Sequence, residues 1–199
     1  MRNKGVLVFV VLAVLLGFGG CGAVNSYNTL VQSDEQVKTA WSNVQAQYQR
    51  RADLIPNLVE TVKGAADFEQ ETLQSVTEAR ARATSIQVRP EDLDDPQKLQ
   101  QFQQAQSALG QSLGRLLAVS ENYPQLQATQ AFSDLQAQLE GTENRITVAR
   151  RDYNEAVRRY NTTVRSFPTV VFASIMGFSP RTAFEAEAGA EEAPDVSFD

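Results

Sequence analysis

Two long stretches of this chain place large apolar side chains at seven-residue intervals, and few folds accept that pattern. In the first, Tyr27, Trp41, Tyr48, Ile55 and Val62 form one seam, with Asp34 in the slot that breaks it. Leu30, Val37, Val44, Leu58 and Ala65 form a companion seam interrupted by Arg51. In the second stretch, Phe132, Leu139, Ile146, Tyr153, Tyr160 and Phe167 run beside Leu135, Thr142, Ala149, Ala156 and Thr163. Such a repeat keeps one face of a helix apolar along its length. It predicts two helices of about 40 residues, near 25–64 and 125–165. Pro56 lies inside the first, where a proline costs about 3 kcal/mol. The register survives it, which predicts a kinked continuous helix; the alternative is a fresh start with Asp53 as N-cap.

Shorter helices are expected near 67–86, with Leu73, Val76, Ala79 and Ala83 inward, and near 97–120, with Leu99, Phe102, Leu109, Leu113 and Leu116. Arg89–Pro96, holding four acids and two prolines, is a loop, and Asn122-Tyr123-Pro124 a turn. No strand pattern appears. The expected fold class is all-α: an antiparallel up-and-down four-helix bundle with two long helices, preceded by an N-terminal membrane anchor. The chain divides into an anchor or lipoprotein signal at 1–24, a helical bundle at 25–166, a short apolar interfacial segment at 167–178, and a disordered acidic tail at 179–199.

Arg2 and Lys4 precede the uncharged run Gly5–Val24, the pattern of an export signal or signal anchor. A helix of that length spans about 30 Å, enough for a hydrocarbon core. Phe18-Gly19-Gly20-Cys21 permits two readings: a lipidation site at Cys21, or an uncleaved anchor in which Cys21 is a small apolar residue. The basic flank places the N-terminus in the cytoplasm and the bundle in the periplasm. Up-and-down topology returns the end of the fourth helix to the same pole. There the 167–178 segment either dips into lipid or a partner's membrane domain, with Phe172, Ile175 and Phe178 as candidate membrane-interface residues, or folds as a short helix over the end of the bundle.

Composition removes whole classes of chemistry. The absence of histidine and the single cysteine exclude a histidine base, a Ser-His-Asp or Cys-His triad, a zinc finger and a disulfide framework. The net charge of −6 resides in the tail, where Thr182–Asp199 holds 6 acids and no base. A neutral body with an acidic tail offers no footprint for nucleic acid. Arg50, Arg51, Asp53 and Pro56 form the most unusual cluster, an interaction or register site. Arg51 interrupts an apolar seam and needs neutralisation, and the antiparallel register puts it near Glu140 and Glu143. Glu91, Asp92, Asp94 and Asp95 lack the glycine and distal glutamate of an EF-hand and read as a solvated loop. The Tyr-Asn pairs at 27–28, 153–154 and 160–161 suit either a membrane boundary or a core rim.

The run Gln47-Tyr48-Gln49-Arg50-Arg51-Ala52-Asp53-Leu54-Ile55-Pro56-Asn57-Leu58-Val59 resembles the signature of the LemA family. Tyr27-Asn28-Thr29-Leu30-Val31, Ala40-Trp41, Glu71-Thr72-Leu73 and Ala79-Arg80 agree with it. So do Tyr153-Asn154, Tyr160-Asn161, Phe167-Pro168, Gly177-Phe178 and Phe184-Glu185-Ala186. The resemblance implies a membrane-tethered helical bundle in bacteria. It supplies no catalytic residue, and it suggests a link to membrane-protein quality control through HtpX-type metallopeptidases. The resulting expectation is a non-enzymatic scaffold or adaptor at the bacterial membrane surface, without cofactor or metal. The alternatives are an accessory subunit of a membrane protease and, third, a hydrolase using carboxylates alone.

Overall fold

The computed structural model of the chain describes residues 2–64 and 68–185, and the side chains of Phe9, 24–64 and 68–185 among them. These residues are all-helical, without strands. They form α1 (Arg2–Lys63), α2 (Gln70–Ser85), α3 (Pro96–Ser120), α4 (Pro124–Gln127), α5 (Gln130–Arg165) and α6 (Thr169–Met176), with a 3₁₀ turn at Pro90–Asp92.

Apart from the exposed Tyr27 and Phe167, and Ala65, which lies outside the described residues, the heptad seams become the contact between α1 and α5, the most extensive among the described residues. Trp41 meets Tyr153 and Arg51 meets Glu143, so residue numbers rise along one helix as they fall along the other: the pair is antiparallel. The helices α2 and α3 pack on each other, α2 also packs on α1, and α6 lies against both α1 and α5. Local chemistry sets the ends. Asp95 caps α3 by accepting from the amides of Gln97 and Lys98 ahead of Pro96. Gly177, at φ +77°, ends α6 in the left-handed conformation that glycine adopts without a Cβ clash.

Pro56 does lie inside a continuous helix, and that helix extends back to Arg2 rather than beginning near Asn25. Without an amide hydrogen, Pro56 leaves the carbonyl of Ala52 without its helical donor. Arg80 of α2 supplies the replacement, its Nε donating to Ala52 O at 2.7 Å. The expected fourth helix differs at its start and ends at the expected bound. Pro124 starts the separate single-turn α4, and the Thr129 hydroxyl caps α5 by accepting from the Phe132 amide. At the far end α5 stops at Arg165, so Phe167 leaves the seam and is 85 % exposed.

The core falls into two apolar clusters. One is built on Leu30, Trp41, Tyr48, Phe102, Tyr153 and Tyr160, the other on Ile55, Leu58, Leu109, Leu116, Phe132 and Leu139. Between them lies a polar layer to which four helices contribute. The buried Arg51 of α1 donates to Glu143 of α5 at 2.7 Å and to the Gln106 side chain of α3 at 2.6 Å. Gln106 in turn donates to the Ala83 carbonyl of α2 at 3.3 Å.

Residues 179–185, which the domain division places in a disordered tail, pack on the body. They form an extended strap packed along α5, with Phe184 only 5 % exposed. The reason is that α5 side chains satisfy the strap's backbone polar groups while Phe184 gains an aromatic pocket. Residues 186–199 lie outside the described residues.

Candidate functional site

Three regions hold the side chains that the sequence singles out. The first is the Arg51 layer. Arg51 is the only member of the Arg50–Arg51–Asp53–Pro56 group that turns inward; the other three are exposed. Asp53 accepts from Gln49, and Glu140 from Gln136 rather than from an arginine. A guanidinium at 4 % side-chain exposure needs every donor answered. Glu143, the Gln106 carbonyl and the Gln106 side chain answer the two Nη groups, the Tyr48 ring lies 5.1 Å away, and Nε has no partner. The cleft beside it, about 330 Å³, contains Glu143 as its one carboxylate, and that carboxylate is engaged by Arg51. Paired acids for hydrolysis are therefore not assembled there.

The 89–95 loop uses its acids structurally. Asp92 accepts from Lys98 and from the Arg89 amide, which hold its carboxyl below the usual range; Asp95 caps α3, and Asp94 accepts from Ser179. Glu155, paired with Arg159, is likewise lowered, the opposite of the shift a general acid requires. Among the described residues no group of three or more His, Cys, Asp or Glu side chains could hold a metal ion.

The second region is the pole where α6 lies against α1. Ile175 is 77 % exposed and Val171 50 %, with Val170, Met176 and Phe167 also outward. Val24, at 63 %, and Tyr27 of α1 are exposed as well, and Tyr27 packs edge-on against Phe178. The three candidate interface residues thus separate: Ile175 faces out, whereas Phe172 and Phe178 are half-buried. Among the described residues no helix is long and apolar enough to cross a membrane. Apart from Phe9 and Val24, the side chains of Gly5–Val24, including Cys21, lie outside the described ones.

The third region is the strap groove, which sequence reasoning missed. The Tyr-Asn pairs do not gather at one pole: Tyr27 does, but Tyr153–Asn154 and Tyr160–Asn161 lie along α5 and bind the strap. The Asn161 amide donates to Arg181 O and accepts from Arg181 N, both at 2.8 Å. Asn154 does the same for Phe184, at 3.0 and 2.8 Å. The Tyr153 hydroxyl donates to Thr182 O at 2.8 Å and the Tyr160 hydroxyl to Ser179 O at 3.0 Å. Burial pushes both phenols above their ordinary value. The Arg181 guanidinium forms an ion pair with Asp34 at 2.9 Å, so the second break in the heptad seams is answered by a charge from the strap. The available signal was the recurrence of Tyr-Asn after seven residues.

A family model described as the LemA family matches residues 40–198. Among similar proteins, Magnetosome protein MamQ 2 of Paramagnetospirillum magneticum is 28 % identical over 175 residues, covering 80 % of this chain and 64 % of its own length. Magnetosome protein MamQ of Magnetospirillum gryphiswaldense is 25 % identical over 187 residues, 86 % of this chain and 68 % of its own length. Protein LemA of Metamycoplasma hominis is 26 % identical over 146 residues, 73 % of this chain and 63 % of its own length. The chain thus spans a little under two thirds of the length of several relatives it matches. With most of its residues under the family model, the chain belongs to the LemA family.

Proposed function

We propose that the chain is a non-enzymatic, membrane-tethered scaffold or adaptor at the bacterial membrane surface. In this reading α1, α2, α3 and α5 form an antiparallel four-helix bundle, and the Gly5–Val24 run is its anchor. One observation carries it: α1 is a single helix from Arg2 to Lys63, so the apolar run continues into the main core helix without an intervening loop. The exposed apolar face of α6 lies beside that continuation, where an anchor would hold it against lipid. The absence of histidine and the single acid of the Arg51 cleft support a non-catalytic role. The basic flank at Arg2 and Lys4 favours a periplasmic bundle, with Cys21 at the outer edge of the anchor for lipidation or simple burial.

Alkaline carbonate extraction tests the tether. The full chain should stay with the membrane pellet, and a variant lacking residues 5–24 should move to the supernatant. Release of the full chain would contradict the reading.

A further inference from the structure

The described clefts are open, and the polar layer is satisfied largely from within. The strap groove differs, because it grips a backbone through side chains spaced to fit an extended chain. Seven residues of α5 rise about 10.5 Å, and three residues of extended chain cover about 10–11 Å. Asn154 and Asn161, seven apart, therefore align with the backbones of Phe184 and Arg181, three apart, and each side-chain amide makes a two-point bond. Such bonds read the main chain whatever the side chains are, as in strand addition to a sheet edge.

Specificity comes from two seats. Arg181 reaches Asp34 through Nε and Nη2, at 3.2 and 2.9 Å, and lies over the Tyr160 ring at 5.9 Å. Phe184 sits 5.4 Å from Tyr153 and 5.9 Å from Trp41, beneath the Arg150 guanidinium at 4.8 Å. Pro180 and Ala183 face solvent and take no part in recognition. Asp34, Trp41, Tyr153, Asn154, Tyr160 and Asn161 all lie on α1 and α5, whose mutual packing extends well beyond the strap, so the groove is formed by elements other than its occupant.

We propose that this face is a binding groove for an extended peptide carrying an arginine three residues before a phenylalanine. Residues Arg181–Phe184 fill it in cis, and a partner segment of the same chemistry displaces them. The inference does not depend on the membrane tether.

The test uses the full chain with Arg181→Ala and Phe184→Ala, which empties both seats, and a fluorescent peptide of sequence FSPRTAFE. Anisotropy should show saturable binding to this variant at least about tenfold tighter than to the wild-type chain, whose own strap competes. Replacing the peptide's arginine and phenylalanine by alanine should abolish it. Equal binding to both chains, binding indifferent to those two residues, or no binding to a variant that retains its helical circular dichroism would overturn the proposal. Should that variant fail to fold, hydrogen exchange on the wild-type chain decides. The amides of Arg181 and Phe184 should exchange by local opening, faster than those of Tyr153 and Val157. Exchange of all four only on global unfolding would make the strap an inseparable part of the core. A strap-exchanged dimer in sedimentation would make the occupant a second copy and overturn a separate partner.

Discussion

Arg80 and Pro56 are 24 positions apart in sequence yet solve one problem between them. The proline is exposed and deprives Ala52 of a donor; the arginine restores it from the neighbouring helix. An unanswered carbonyl costs about 1–3 kcal/mol. We therefore expect Arg80→Met to destabilise the wild-type chain by about 1–2 kcal/mol and to do much less harm beside Pro56→Ala, which returns the missing N–H. A double-mutant cycle by urea denaturation reads the difference; an equal loss in both backgrounds would show that Arg80 acts elsewhere. In the polar layer, Glu143→Gln should cost about 1 kcal/mol, because Glu143 is half-exposed and Gln106 still holds Arg51. Glu140→Gln should fall within about 0.5 kcal/mol of wild type, since Glu140 is exposed and accepts its hydrogen bond from Gln136 on its own helix. Comparable losses at Glu140 and Glu143 would contradict this assignment.

At the scale of elements, the strap binds through hydroxyls that must keep their protons. The Tyr153 and Tyr160 phenols are raised above 10 by burial, so the unfolded chain releases these protons first as pH climbs. Their contribution to stability is complete below pH 10 and declines above it. Thermal melts between pH 9 and 11 should show a steeper loss for the wild-type chain than for Tyr153→Phe with Tyr160→Phe; parallel slopes would contradict it. The long helices are readable from the period of seven, and the interruption at Arg51 marks a buried charge in need of a partner; Asp34 reads only as a break in its seam, and the fold gives it the Arg181 ion pair. Glu143 was within reach of the same register argument. Arg181 was not, because a segment of mostly small and acidic residues carries no period of its own. Its order is imposed by α5, through an alignment of seven helical with three extended residues that becomes visible only when both are placed. The helix ends at Arg165, at its expected bound, but the seven-residue spacing carries the seam one step too far, to Phe167, which is exposed.

For the whole molecule, two apolar clusters separated by a polar layer form a body whose register is tied at one level. Buried charged groups are weak sources of stability and better devices for alignment. That alignment fixes the pole at which α6, Tyr27 and the N-terminal continuation of α1 come together. Ile175→Ser should leave the melting temperature nearly unchanged, since the side chain is exposed, yet weaken vesicle binding of a variant lacking residues 5–24. Vesicle binding unaffected by Ile175→Ser would remove α6 from the lipid contact.

The most direct test of a tethered bundle standing on this pole is photocrosslinking in native membranes, with a benzophenone side chain at Ile175 and, at the opposite end of the long helices, at Ala131. Lipid adducts should form from position 175 and not from position 131. Adducts from neither position, or from both alike, would contradict the orientation, and capture of one dominant membrane protease at 175 would replace the scaffold by an accessory subunit.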